Sequence, residues 1–265
     1  KKMKLAVVTI AYPNAQVFFP DFFASLENQE DHDFSLWVGL DQVNPQILQN
    51  LFRKKKIHFV PSREGENPIA LRNRTFAEAA ANSYAMAFVD IDDILLPSRI
   101  KEAKSYAERF DLTATAMNYI NRDGKILPGI FNPSDGDPEL ILNNAFGFSN
   151  TTWRSDTMKS LLPAAENCVL MDWLLSSHAS ANGARIGYDL TPRMNYRQHD
   201  SNTAMVRAPF SKQQIVKATN LVLQHFSLLL ERLNAPQKQK FAAARDRILK
   251  FQQAIKREKI LNKYV

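Results

Sequence analysis

Strand and helix patterns alternate from the start of the chain, and that alternation constrains the fold more than any other feature. The runs KLAVVTIAY, FSLWVGLD, KIHFVPS and AMAFVDID are short, apolar and rich in β-branched or aromatic residues. Such runs suit strands buried on both faces. Between them, Phe18, Phe22, Phe23 and Leu26 recur at helical spacing, and NPQILQNLF starts a short helix behind Pro45. NPIALRNRTFAEAAANS and LPSRIKEAKSYAERF carry helical patterns of their own. Over about 110 residues this order predicts an α/β domain with a mostly parallel sheet covered by helices. The alternation then loosens. TATAMNYI is strand-like, NRDG is a turn, MDWLLSSHASANG is a helix closed by Gly183, and ARIGYDL and RMNYRQH read as two short strands. From about Phe210 onward the pattern is helical.

Charge divides the chain in two. Residues 208–265 hold 12 Lys and Arg against 3 Asp and Glu, whereas residues 1–207 hold 22 against 24. The expected organisation is an α/β domain over 1–207 and a basic helical extension over 208–265. No apolar run reaches the roughly 18 uncharged residues of a membrane span, and KKMKLAVVTI reads as a first strand rather than a signal peptide. One cysteine, Cys168, excludes an internal disulfide and a multi-cysteine zinc site. Its apolar neighbours suit a buried thiol, which fits a cytoplasmic location.

The fourth apolar run goes straight into Asp90, Asp92 and Asp93. Three carboxylates at one strand end repel one another and resist desolvation, so they call for a cation or open water. In open α/β sheets ligands bind outside the carboxyl ends of strands. An extended backbone would point Asp90 and Asp92 the same way, and two hard oxygen ligands there suit Mg²⁺ or Mn²⁺, with waters and phosphates completing the shell. A plain helix cap or solvated turn is the alternative for any single aspartate.

Two families use such a strand end. VDIDDIL resembles the Asp-x-Asp of haloacid-dehalogenase-like phosphotransferases, with Asp90 as nucleophile. That motif ends the first strand of its domain and is followed by Thr or Val, whereas here three strands come first and Asp93 follows Asp92. The second resemblance is broader. VVTIAYPN, the segment NPIALRNRTFAEAAANSYAMAFVDIDDILLP, MDWLLSSHASANGARIGYDL and MNYRQHDSNTA resemble, in order, four passages of family 2 glycosyltransferases of GT-A fold. Met171 stands where that family often has an acidic residue, and only Asp41 remains of its acidic turn after the second strand.

The resemblance implies sugar transfer from a nucleotide diphosphate sugar, by default a UDP-sugar, to a hydroxyl with inversion. It implies Mn²⁺ or Mg²⁺ on Asp92, with Asp93 and His199 as further metal ligands. Donor contacts fall at Thr9, Ala11, Tyr12, Asp41, Arg72 and Asp90. Asp172 is matched to the catalytic base, although an Asp at a helix start also serves as a simple cap. Asn150 and Trp153 are candidates for the acceptor pocket, since aromatic faces suit sugar C–H surfaces. His32, His58, His178 and His225 are assigned structural or surface roles. The acceptor expected is a saccharide or lipid-linked saccharide. The basic helices either pack on the domain or touch an anionic membrane at its inner face. No nucleic-acid partner is expected. A non-catalytic membrane- or nucleic-acid-binding scaffold is the remaining rival.

Overall fold

The computed structural model describes residues 4–53, 55–135, 144–199 and 211–257. Four parallel strands form the first half of one sheet: β1 (Leu5–Ala11), β2 (Phe34–Leu40), β3 (Ile57–Pro61) and β4 (Ala85–Phe88), in the order β3-β2-β1-β4. The second half is mixed. β8 (Thr151–Arg154) pairs antiparallel with β4 and with β6 (Leu112–Ile120), and β9 (Ile186–Arg197) lies parallel to β6. β5 (Ile94–Leu95) closes the edge against β9, and β7 (Ile126–Phe131) folds back on β6 as a hairpin.

Successive strand residues face opposite ways, so β1 feeds two cores. Ala6 and Val8 join Met86 and Phe88 under α3 (Pro68–Asn82), where Phe76, Ala79 and Ala80 are buried. Leu5, Val7 and Ala11 join Leu36, Val38 and Leu40 on the other face. That face is covered by Phe22, Phe23 and Leu26 of α1 (Phe19–Glu27) and by Ile100, Ala103 and Ala107 of α4 (Arg99–Arg109). Asn-Pro pairs start two helices for one reason. Asn44 and Asn67 each accept a hydrogen bond from a first-turn N–H, of Gln46 and Ile69, while the proline sets φ at the first helical position. α2 (Pro45–Leu51) and α3 begin this way. Gly39 lets α3 lie close to the sheet: a Cβ there would meet Ile10 Cδ1 at 2.5 Å and Thr75 Oγ1 at 2.7 Å.

The two short strands expected near residues 184–199 are one twelve-residue strand, β9. The register against β6 slips between Thr115 and Met117, which absorbs the Thr191-Pro192 step as an irregularity instead of a break. Asp189 secures it by accepting from Thr191 N–H (3.1 Å) and Arg193 Nε (2.7 Å).

After α5 (Ser155–Leu161) and α6 (Met171–Ala181), α7 (Lys212–Arg232) and α8 (Ala235–Arg257) form a hairpin. Phe226, Leu229, Leu233 and Phe241 enter the same core cluster as Trp173 and Leu174 of α6. The basic extension is therefore tied to the domain by shared apolar burial. The boundary expected at 207/208 lies outside the described residues. No helix among those described is long and apolar enough to cross a membrane.

Candidate active site

A wide cleft of about 1510 Å³ opens at the carboxyl ends of the parallel strands. Each element delivers a side chain to it. β1 leads into Tyr12, β2 leads to Asp41, α3 presents Arg72, the loop after β4 gives Asp90 and Asp92, and α6 brings Asp172 in its first turn.

The acidic loop is not extended. Asp93 N–H donates to Asp90 C=O at 3.0 Å, making a tight turn. Asp90 and Asp92 both face the cleft, as expected, but through this turn rather than through strand alternation. Asp93 is a correction. It is 1% exposed, and its carboxylate accepts from the Ser149 hydroxyl and from Arg197 N–H (2.7 Å). With both oxygens used inside the protein, it fastens the loop and does not present itself as a metal ligand. Burial, then the charges of Asp92 and Asp90, push its pKa far above the usual carboxylate range.

Asp92 faces the cleft and meets two partners at one oxygen. Its Oδ2 accepts from Tyr12 OH at 3.0 Å and lies 2.9 Å from His199 Nε2. The His199 ring stacks on Phe18, with centroids 5.1 Å apart. Burial and the Asp92 charge drive the Tyr12 phenol well above its ordinary pKa, so it stays a donor. Behind this trio, Arg197 holds the loop. It is 1% exposed, and its guanidinium donates to Asp92 C=O (2.7 Å), Arg122 C=O (2.6 Å) and Asp21 Oδ2 (2.8 Å).

A carboxylate oxygen suits Mn²⁺ or Mg²⁺, while an imidazole nitrogen beside it favours a transition ion such as Mn²⁺ over Mg²⁺. Among the described residues no three His, Cys, Asp or Glu side chains converge as a closed cage. Two protein ligands with the rest supplied by phosphates and water is the usual arrangement for Mg²⁺. The residues thus fit such an ion, which Asp92 and His199 would hold.

Across the cleft, Asp172 Oδ2 accepts from Asn144 Nδ2 at 3.0 Å, and Oδ1 accepts from Trp173 N–H at 2.8 Å. Burial raises its pKa, while the Trp173 N–H, Arg72 and Asn144 act against that rise. Asp90 is raised too, first by the surrounding protein and then by Asp92, with Arg72 opposing. Arg72 is thus the cation set between the two acidic groups.

The remaining candidates separate. Asp41 and Arg72 line the cleft, as expected. Thr9 and Ala11 are buried, and Ala11 faces the α1 core, so their side chains lie off the cleft and Ile10 and Tyr12 take that place by strand alternation. Trp153 is a further correction. It is 1% exposed in the core under β8, with its Nε1 bound to Thr151 Oγ1 at 3.1 Å, so it cannot touch an acceptor. Asn150 borders the cleft from beneath. Its Nδ2 donates to Thr115 C=O (3.2 Å) and Ala145 C=O (3.1 Å), and its Oδ1 has no hydrogen-bond partner among the described residues. Cys168 is buried, with its pKa pushed up to about 11 chiefly by burial, which fits a structural thiol.

Sequence reasoning missed Asn144, Ser149 and Arg197. Arg197 lies inside the YRQH passage, but nothing in the sequence tells a buried clamp from a surface arginine. Ser149 and Asn144 are ordinary loop residues whose roles exist only once the chain has folded.

No protein-family model matches the sequence. MJ1057, an uncharacterised glycosyltransferase of Methanocaldococcus jannaschii, is 27% identical over 134 residues, or 48% of this chain and 46% of that protein. The chain therefore matches less than half of that relative's length. Among solved structures, S. aureus TarS residues 1–349 with UDP-GlcNAc superposes with a TM-score of 0.62 at 18% identity, covering 88% of this chain and 72% of that one. The mannosyltransferase PcManGT of Pyrobaculum calidifontis, in complex with GDP-Man and Mn²⁺, gives 0.60 at 12% identity, covering 96% and 74%. Strand order, cleft position and these likenesses agree: the chain has the GT-A glycosyltransferase fold.

Proposed function

We propose that this protein transfers a sugar from a nucleotide diphosphate sugar to a hydroxyl group with inversion, using Asp172 as base. The observation that carries this is the placing of Asp92–His199, Arg72 and Asp172 around one cleft at the strand ends. The solved neighbours support it, since those chains were captured with UDP-GlcNAc and with GDP-Man and Mn²⁺. The parallel half of the sheet places the acidic loop after its fourth strand. That arrangement favours glycosyl transfer over the phosphotransferase chemistry expected of a first-strand Asp-x-Asp.

Tyr12 and Asp41 would flank the nucleobase, with UDP the default. Arg72 presents a rigid fork of donors to the diphosphate. Asp92 and His199 would hold a divalent ion, which when bound neutralises charge on the departing diphosphate. Asp172, held by Asn144 and the Trp173 N–H, takes the proton of the attacking hydroxyl. Its raised pKa makes it a better base than an ordinary carboxylate near neutral pH. The acceptor belongs among saccharides or lipid-linked saccharides. In the same proposal residues 1–207 are the catalytic unit and residues 208–265 the extension. The hairpin face bearing Arg247, Lys250 and an exposed Phe251 would meet anionic headgroups at the cytoplasmic side of a membrane.

Thermal denaturation with UDP, GDP, CDP and dTDP, each with and without Mn²⁺, tests the core of it. One nucleotide should raise the melting temperature only with metal. A ligand at a hundred times its Kd adds about 2.7 kcal/mol. Four flat curves would rule out the donor site.

A further inference from the structure

With Trp153 in the core, the acceptor needs another home, and the cleft offers one that the sequence did not suggest. We propose that Tyr119 and Tyr196, with Phe131 beside them, form a stacking wall that binds a neutral pyranose ring of the acceptor. This rests on the glycosyl-transfer reading above.

β6 and β9 run parallel with Tyr119 opposite Tyr196 in register, so both rings rise from the same side of the sheet end. Their centroids are 6.4 Å apart at an interplanar angle of 57°. The β7 hairpin adds Phe131 and brings Leu127 and Pro128 to the same wall. Gly129 shapes the β7 backbone opposite Tyr119: its φ of +95° is one that glycine adopts without strain. Both tyrosines are half-buried and line the same cleft as Asp172.

The chemistry of this wall selects its ligand. Met117, Tyr119, Leu127, Pro128, Phe131 and Tyr196 carry no charge, so this part of the cleft offers a phosphate no cation to pair with. An aromatic face with a polar rim suits the C–H face of a sugar ring whose hydroxyls point outward. Size agrees as well. Small-molecule sites span roughly 300–1,000 Å³, and this cleft, at about 1510 Å³, leaves room for a second ring once a donor is bound. A serine side chain or a simple alcohol would leave the wall bare.

The test uses the full chain with the nucleotide sugar and metal selected by thermal denaturation. Octyl pyranosides of gluco, galacto, manno and N-acetylglucosamine configuration are compared with n-octanol and a serine-threonine peptide. Transfer to at least one pyranoside, with neither comparator used, is the expected result. Tyr119→Ala should then raise the acceptor KM by roughly tenfold or more, with kcat changing less, and Tyr119→Phe should restore it to within about threefold. A wall that merely props up the fold would move melting temperature and kcat without that split in KM. Transfer to n-octanol or the peptide as good as to any pyranoside overturns the proposal. So does donor hydrolysis with no pyranoside used, or an unchanged acceptor KM in Tyr119→Ala. If no nucleotide protects the protein at all, the glycosyl-transfer reading fails first, and the wall as an acceptor site fails with it.

Discussion

Arg197 should be the residue on which the metal-facing loop depends, and Arg197→Leu tests this. The guanidinium donates to the carbonyls of Asp92 and Arg122 and to Asp21, while its own N–H holds Asp93. The substitution keeps the last bond and removes the first three. The Asp21 bond counts for little, because that carboxylate is 52% exposed and water replaces the partner. The two carbonyls lose charge-assisted donors worth roughly 1.5–3 kcal/mol each. Against this, the variant no longer desolvates a guanidinium, so the net loss is about 3 kcal/mol. For a chain of this size that is a fall in melting temperature of about 6–12 °C. The functional loss should be larger in proportion, because Asp92 loses the anchor on its own backbone. Protection by nucleotide with Mn²⁺ should disappear while the variant is still folded. Arg197→Lys restores charge but cannot span three acceptors, and should fall between. The measurements are denaturation curves with and without nucleotide and Mn²⁺. A leucine variant melting within about 2 °C of the parent, with its Mn²⁺-dependent shift intact, would refute the clamp.

Four further outcomes follow from the same structure. Asp172 must be ionised to accept a proton and its folded pKa is raised, so the acidic limb of kcat/KM should lie above the ordinary carboxylate range; Asp172→Asn should lower kcat by at least about 100-fold. Asn144→Leu removes a bond that favours the charged form, and should move that limb higher still. His225 is 1% exposed, stacked on Trp173 at 4.2 Å with neither ring nitrogen bonded, and burial pushes its pKa down to about 3. Its neutral form is favoured in the fold, so stability is full above the unfolded value near 6.5 and drains as pH falls towards 3, with about 2 kcal/mol gone by pH 5; denaturant titrations of parent and His225→Phe at pH 7.5 and 5 should show that pH-dependent loss largely absent from the variant. Trp153→Phe should cost about 1–3 kcal/mol in denaturant titration and leave the acceptor KM unchanged, since the indole lies in the core.

Much of the architecture was legible in the sequence because burial imposes a period. The runs ending at Tyr12, Asp41, Ser62 and Asp92 became β1 to β4 and the turns after them, and Asn-Pro pairs marked the start of α2 and α3. The second half was less legible. β8 and β5 are too short to show a period, and the β9 irregularity looks in sequence like a loop between two strands. In the cleft, aspartate density located the site but could not say which way each carboxylate turns. Asp92 and Asp93 are neighbours in a tight turn, so one faces solvent and the other the core, and Ser149 and Arg197 from distant segments decide which. Trp153 failed as an acceptor candidate for a related reason. A tryptophan in a loop-like passage carries no mark of whether its strand will be central, and β8 lies between β4 and β6.

The order of the strands explains why the site is where it is. Parallel pairing ends at β4, and the next strand across, β8, runs the opposite way. A strand that reverses direction cannot continue the row of carboxyl ends, so the sheet leaves a gap beside the end of β4, and the acidic loop turns into it. β6 and β9 restore parallel pairing beyond the gap and carry Tyr119 and Tyr196 to its far side. Arg197, at the end of β9, reaches back to the loop after β4 and ties the two halves together. Groups from the two halves of the sheet thus meet at this join: Asp92 from the first, and Arg197, His199 and the two tyrosines from the second. A change that loosens the join should uncouple donor binding from transfer before it unfolds either half.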